Sequence, residues 1–166
     1  MKIMDIIIIG RVAEDGILRL FENNREMIVS RYSARYISEG ISGLEAEFGD
    51  DKCMRMLDSA GADVFVVGRQ GIFSALYKLG NTCNTGLRVR LADIPVRQFC
   101  IEIADLMDVN PYTLSSLGCI LACTVDGNAL AAALNDEGYE AAVIGYTTED
   151  RACCAVNGDV FTYLEP

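Results

Sequence analysis

The chain contains no histidine and no tryptophan, only three prolines, and no low-complexity run. Without histidine, general acid and base work would fall to carboxylates, cysteine, lysine or tyrosine, and no recognisable nucleophile arrangement pairs them. No catalytic residue is therefore assigned. Metal ligation is equally poorly supplied, because no C-x-x-C pair occurs. Cys119 and Cys123 lie about 13 Å apart at strand rise, too far to share one ion. No metal site is expected. No apolar run approaches the roughly 20 residues needed to cross a bilayer, and Gly10-Arg11 ends the run Ile6 to Ile9 well short of a signal-peptide core. No membrane association is expected, and the cytoplasm is the expected compartment. Basic residues are outnumbered, 14 against 24 acidic, for a formal charge of -10. Such a field repels phosphate backbones, so nucleic acid is not expected as a partner.

What is present is a hydrophobic chain, 51% apolar over 166 residues, enough for a single domain spanning 1-166. Seven cysteines are an odd number and sit mostly within apolar segments, as small buried hydrophobes do in a reducing compartment. Hydrophobic periodicity predicts a buried strand at Ile6 to Ile9, then a helix over about Ile17 to Val29. A short helix around Ala34 to Ser38 is broken by Gly40 and Gly43. Asp50-Asp51 caps a helix over Lys52 to Ala60, with Gly61 as its left-handed end. The most ordered stretch follows: a buried strand at Ala62 to Val67, a glycine-led helix at Ile72 to Leu79, and an alternating strand at Leu87 to Leu91. After it comes a helix over Val96 to Met107, capped by Asp93 with Pro95 near its first position and stopped by Asn110-Pro111. Cys119 to Val125 reads as a continuous apolar strand. Asp126 opens a helix packed through Ala129, Leu130, Ala133 and Leu134, and Gly138 closes it. Glu140 to Tyr146 is a further strand, and Asn157-Gly158 joins Cys153 to Val156 with Val160 to Leu164 as a hairpin. The expected class is α/β (α+β), a mixed sheet of four to six strands with covering helices.

The order of Arg69, Gly71, Gly86, Ile94-Pro95-Val96, Pro111, Leu114 and Gly118, with their intervening helices and strands, resembles the C-terminal domain of the aminoimidazole ribonucleotide (AIR) synthetase superfamily. Among its branches it is most similar to the hydrogenase maturation carbamoyl dehydratases. The resemblance extends more weakly over nearly the whole chain. It implies an ATP and magnesium site supplied mainly by an N-terminal domain, for which no counterpart is expected in this sequence because the pattern begins at about residue five. No cofactor is therefore expected for the chain alone. Gly49-Asp50-Asp51 is better read as a helix cap than as a magnesium motif.

Departures accompany the matches. The branch's arginine follows an Asp-x-Thr, where Val66-Val67-Gly68 stand here, and Ser116-Leu117 replaces the polar pair before its final glycine. Both changes remove groups that hydrogen-bond a ligand. The sequence closes on Tyr163-Leu164-Glu165-Pro166, so this chain is not expected to be the carbamoyl acceptor, a role that the resemblance gives to a terminal cysteine.

The candidate ligand or anion contacts are Gly10, Gly16, Arg69, Gln70, Gly71, Ser116 and Gly118. Glycines after the first strand let backbone N–H groups approach an anion. Glu14 and Asp15 beside them favour an ordinary helix start with acidic capping residues. Arg69, at a strand-to-helix turn, offers forked donors beside the Gln70 and Gly71 backbone, or else is a solvated surface arginine. The expected role is a module that is non-catalytic alone, accessory to an ATP-binding partner domain in hydrogenase maturation or purine-type metabolism. It would meet that partner, or a second copy in a homodimer, through an apolar face. The alternative is a small cytoplasmic cysteine-dependent redox or ligand-binding enzyme.

Overall fold

In a computed structural model, which describes residues 2–45 and 47–165, four consecutive isoleucines form the middle of the protein. Ile6 to Ile9 are all fully buried, so each contributes about 1.5–3 kcal/mol of apolar burial. They lie in β1 (Asp5–Ile9), and both faces of that strand need cover.

The elements following β1 are α1 (Glu14–Asn23), α2 (Arg25–Arg31), α3 (Ala34–Ser42), α4 (Asp51–Ser59), β2 (Asp63–Val66), α5 (Gly71–Cys83) and β3 (Gly86–Arg90). Then come α6 (Gln98–Leu106), β4 (Ile120–Thr124), α7 (Gly127–Asp136), β5 (Ala141–Thr148), β6 (Cys153–Asn157) and β7 (Val160–Tyr163), with short 3-10 turns at Leu91–Asp93 and Pro111–Thr113. The strands form one seven-stranded sheet in the order β2-β4-β1-β5-β3-β6-β7. Its pairs are antiparallel except β3 with β6, so the sheet is mixed. It has one strand more than the upper expected count.

Cross-strand pairing puts Cys123, Asp63 and Ile6 on one face, with α5 packed against β2, β3 and β6. Asp5 pairs with both Thr124 and Tyr146 and therefore points to the other face. There α7 lies so close that a Cβ on Gly127 would sit 2.6 Å from the Asp5 Cβ. Among the described residues, no helix is long and apolar enough to cross a membrane.

Several local signals act as expected. Asp50 and Asp126 each accept an N–H three residues on, from Cys53 and Ala129. The Asn157-Gly158 hairpin forms with Gly158 and Asp159 as its loop, because Asn157 pairs directly with Val160.

Other expectations are corrected. β2 is a sheet edge rather than a buried strand, with Val66 74% exposed; a four-residue apolar run looks the same at an edge and in a core. The helix predicted over Ile17 to Val29 breaks at Asn24, whose side chain donates to the Leu20 carbonyl at 3.0 Å. Gly40 lies inside α3 rather than breaking it, because only a glycine fits against the Phe99 ring there. Asp93 does not cap α6. It pairs with Arg90 across the 3-10 turn, and the α6 cap position falls to Arg97. Asn110 caps the Pro111–Thr113 turn rather than stopping α6, which ends before Met107. α7 buries Leu130, Ala131 and Leu134, while Ala129 and Ala133 face outward.

Candidate functional site

Ile9 and Val66, the last residues of β1 and β2, both pair with Ile120, the first of β4. The chain thus leaves two parallel strands and enters their shared neighbour at one end of the sheet, where all seven candidate residues gather. They divide into two groups of different character.

The first group is consumed by the fold. Segment 112–118 passes between the start of α1 and the Gly68–Gly71 turn and is fastened to both. Ser116, 1% exposed, accepts the Ala13 N–H at 2.8 Å and donates to the Leu114 carbonyl at 3.1 Å. Its own N–H reaches the Gly68 carbonyl at 3.1 Å. The Asp15 carboxylate accepts the Leu117 N–H at 2.9 Å and the Ser115 hydroxyl. Gly16 is required for close approach, since a Cβ there would stand 2.8 Å from the Leu114 Cβ and 2.9 Å from the Ser115 carbonyl oxygen. Gly10 and Gly118 turn the chain out of β1 and into β4 with φ of 112° and 88°. The donors of this group are spent within the protein: the Gly10, Gly16 and Ser116 N–H groups on the carbonyls of Glu140, Ser115 and Gly68, and the Leu117 N–H on the Asp15 carboxylate.

Arg11 extends this closure. Its guanidinium pairs with Glu14 at 2.9 Å and Glu140 at 3.2 Å and lies over the Phe48 ring at 5.4 Å. Glu14, 1% exposed, also accepts the Cys100 thiol at 3.0 Å. Burial, and then that hydrogen bond, push the Cys100 thiol far above its ordinary range. Cys119 is pushed up to about 12, chiefly by burial and next by Asp15 and Glu14. Neither thiol is a nucleophile near neutral pH.

The second group remains open. Gly71 adopts φ +85°, and a Cβ there would stand 2.7 Å from the Tyr112 carbonyl oxygen, so glycine is needed both for the turn and for the contact. This turn leaves Arg69 and Gln70 exposed. Arg69 makes no hydrogen bond or ion pair among the described residues. It borders a hollow of about 260 Å³ shared with Gln70, Ser74 and Lys78. The Gln70 Oε1 accepts from Ser74 Oγ at 3.2 Å and Lys78 Nζ at 3.4 Å. Gln70 and Ser74 also line an adjoining hollow of about 430 Å³ that continues over Phe73 and Thr113 to Tyr163. Phe73 stacks on Tyr112, their ring centroids 5.3 Å apart. The surface is a groove with a cationic end at Arg69 and Lys78 and an aromatic end at Phe73 and Tyr163. Its cationic end can hold an anion, while Glu165 lines its aromatic end. Among the described residues, no three His, Cys, Asp or Glu side chains could hold a metal ion.

Sequence reasoning missed Lys78 and the role of Asp15. The first was detectable, since Gln70, Ser74 and Lys78 are spaced by four on one helix face.

No family model matches the sequence, and no curated protein does. Solved structures do share its fold. E. coli HypE, a hydrogenase maturation protein, superposes with a TM-score of 0.76 at 17% identity, covering 98% of this chain and 49% of that one. A chain from the crystal structure of a HypE–HypF complex gives 0.74 at 12% identity, covering 98% and 52%. T. maritima PurL complexed with FGAR gives 0.60 at 12% identity, covering 98% and 27%. The chain thus spans about half the length of the hydrogenase maturation proteins it matches. Its α/β fold is the one these structures share over the matched part.

Proposed function

We propose that the chain is a binding module, non-catalytic alone, that presents the Arg69 groove to an anionic ligand and works beside an ATP-binding partner domain. The observation that carries this reading is the contrast at the sheet end. The first group of turns is closed by Asp15 and Ser116, while Arg69 and Lys78 stand beside an open hollow with no carboxylate opposing them. Forked donors over a helix start suit a phosphate or carboxylate. Glu165, at the Tyr163 end of the groove, is the one carboxylate that lines it among the described residues, and it does not line the Arg69 hollow. A likeness in fold to half of the hydrogenase maturation proteins supports the partner half of the proposal, one such chain having been crystallised as a HypE–HypF complex. Cytoplasmic hydrogenase maturation or purine-type metabolism is the setting we infer.

The partner surface we propose is the β7 edge. Val160, Phe161 and Tyr163 are 62%, 58% and 71% exposed, and no charged side chain protects the strand. Asp159 and Glu165 flank it, so a homodimer paired through β7 would crowd like charges. A partner with basic flanks fits better. A cysteine enzyme is the weaker alternative, because six of the seven thiols are buried.

The test is amide-resolved NMR with magnesium-ATP and, separately, inorganic phosphate. Phosphate is expected to shift Arg69, Gln70 and Gly71 in the wild type and not in Arg69→Ala. Micromolar binding or hydrolysis of magnesium-ATP by the chain alone would overturn the non-catalytic reading.

A further inference from the structure

A second cavity lies at the opposite end of the sheet from the Arg69 groove, under the C-terminal turn of α5, and has a volume of about 620 Å³. Its floor is the sheet face carrying Asp63, Phe65, Cys123 and Thr147, and Thr82 and Cys83 close it from above. Forty positions separate Cys83 from Cys123 in the sequence, yet both line this one cavity, where each perturbs the other's titration. Cys83 is the one cysteine of the seven that is not buried. Beside them the Thr85 hydroxyl is buried with no hydrogen-bond partner, an uncommon condition that an entering polar molecule would relieve.

We propose that Cys83 and Cys123 form a reversible dithiol–disulfide site, oxidised by low-molecular-weight disulfides that enter this cavity. The accessible Cys83 reacts first. Its thiolate attacks one sulfur of the incoming disulfide, forming a mixed disulfide and expelling a small thiolate, which takes up the proton that Cys83 released. Cys123 then loses its proton and attacks the Cys83 sulfur, forming the internal bridge and expelling the second small thiol. Two protein thiols are oxidised to one disulfide, and one small disulfide is reduced to two thiols. The bridge ties the end of α5 to β4 and draws the cavity mouth closed.

The ionisable groups facing the pair are Asp63 from β2, Lys2 from the segment before β1, and the two thiols themselves. Burial, followed by the Asp63 charge, raises the Cys83 thiol above its ordinary value. Burial, followed by the Cys83 charge, pushes Cys123 up to about 12. Thiolate is therefore scarce on both sulfurs at neutral pH, and each step accelerates about tenfold per pH unit up to the pKa of the thiol that attacks.

The test incubates the native full chain with oxidised glutathione, blocks remaining thiols with N-ethylmaleimide, and maps cross-linked peptides by mass spectrometry. The expected product lacks two hydrogens, joins Cys83 to Cys123, and reverts with dithiothreitol. Cys123→Ser should accumulate glutathione at Cys83, and Cys83→Ser should take up none. A bridge between another pair, a mixed disulfide in the wild type that never resolves, no loss of thiols, or a rate independent of pH would each overturn the proposal. The wild-type mapping decides even if a variant fails to fold.

Discussion

The Asp15 carboxylate accepts the backbone N–H of Leu117 at 2.9 Å, across more than a hundred positions of sequence, and fixes the start of α1 to the strand-entry loop. The same carboxylate takes the Ser115 hydroxyl. Hydrogen bonds to a charged acceptor are worth about 1.5–3 kcal/mol each, less where water screens them. Asp15→Ala should therefore lower unfolding stability by about 2–3 kcal/mol in urea titrations. Asp15→Asn, which keeps an acceptor, should lose about half of that. A loss under about 0.5 kcal/mol for the alanine variant would show that the contact is incidental.

Gly16 offers a test in which two effects have opposite signs. Replacing a glycine inside a helix by alanine gains about 1 kcal/mol from propensity. Here the new Cβ would meet the Ser115 carbonyl oxygen at 2.9 Å, a backbone atom held by its own hydrogen bonds, and overpacking costs about 1–3 kcal/mol. Gly16→Ala should be destabilising overall. Gly68→Ala, with nothing within 4 Å of its added Cβ, should stay within about 0.5 kcal/mol of the wild type. If Gly16→Ala proves stabilising, the segment yields more readily than its hydrogen bonds suggest.

These contacts also explain what the sequence could and could not disclose. Ile6 to Ile9 needed no partner to be recognised, because alternate isoleucines point to opposite faces of a strand and both faces then need cover. The caps at Asp50 and Asp126 were equally readable, since donor and acceptor lie three residues apart. By contrast, the meeting of Cys83 and Cys123 at one cavity and the seizure of Leu117 by Asp15 are made by the fold, which brings distant segments together. The edge position of β2 follows from the sheet order and leaves no trace in Asp63 to Val66. Among the candidate residues, the sequence could not tell Ser116, whose hydroxyl accepts the Ala13 N–H, from Arg69, which makes no hydrogen bond or ion pair among the described residues.

Asp50 and Tyr139 make a pH-dependent pair. The Tyr139 hydroxyl donates to the Asp50 carboxylate, and that bond is the main cause of a lowered Asp50 pKa, with the Cys53 N–H second. It likewise raises Tyr139 to about 12. A depressed acid contributes stability above its unfolded value of 3.8 that is lost as pH falls through the folded one. A raised tyrosine contributes below 10 and loses that contribution as pH climbs toward about 12. The carboxyl resonance of Asp50 should titrate below 3.8 in the wild type and move back up in Tyr139→Phe. Unchanged titration in the variant would assign the shift to the helix cap alone.

Arg69 should separate binding from stability. Its side chain is exposed and makes no ion pair among the described residues, so Arg69→Ala should alter unfolding by no more than about 0.5 kcal/mol. Phosphate-induced shifts at Gly71 should nonetheless disappear. Lys78→Ala should weaken them less, because a lysine is a single point charge whereas the guanidinium can grip two oxygens. Equal loss from both substitutions would indicate a general basic field rather than a site on the turn.

The β7 edge should report its charge through salt. Antiparallel pairing of two copies through Val160 to Tyr163 would set Asp159 of each near the other's Glu165, within a chain of net charge -10. Repulsion at that range is effective in dilute buffer and is screened once the Debye length contracts from about 30 Å at 0.01 M to about 3 Å at 1 M salt. Sedimentation equilibrium should thus find a monomer at low ionic strength, with any self-association growing as salt is added. Phe161→Lys, which places a charge in the middle of the exposed strand, should abolish that growth. A tight dimer already present in dilute buffer would mean that the copies meet elsewhere, and the apolar edge would then be left to a partner of opposite charge.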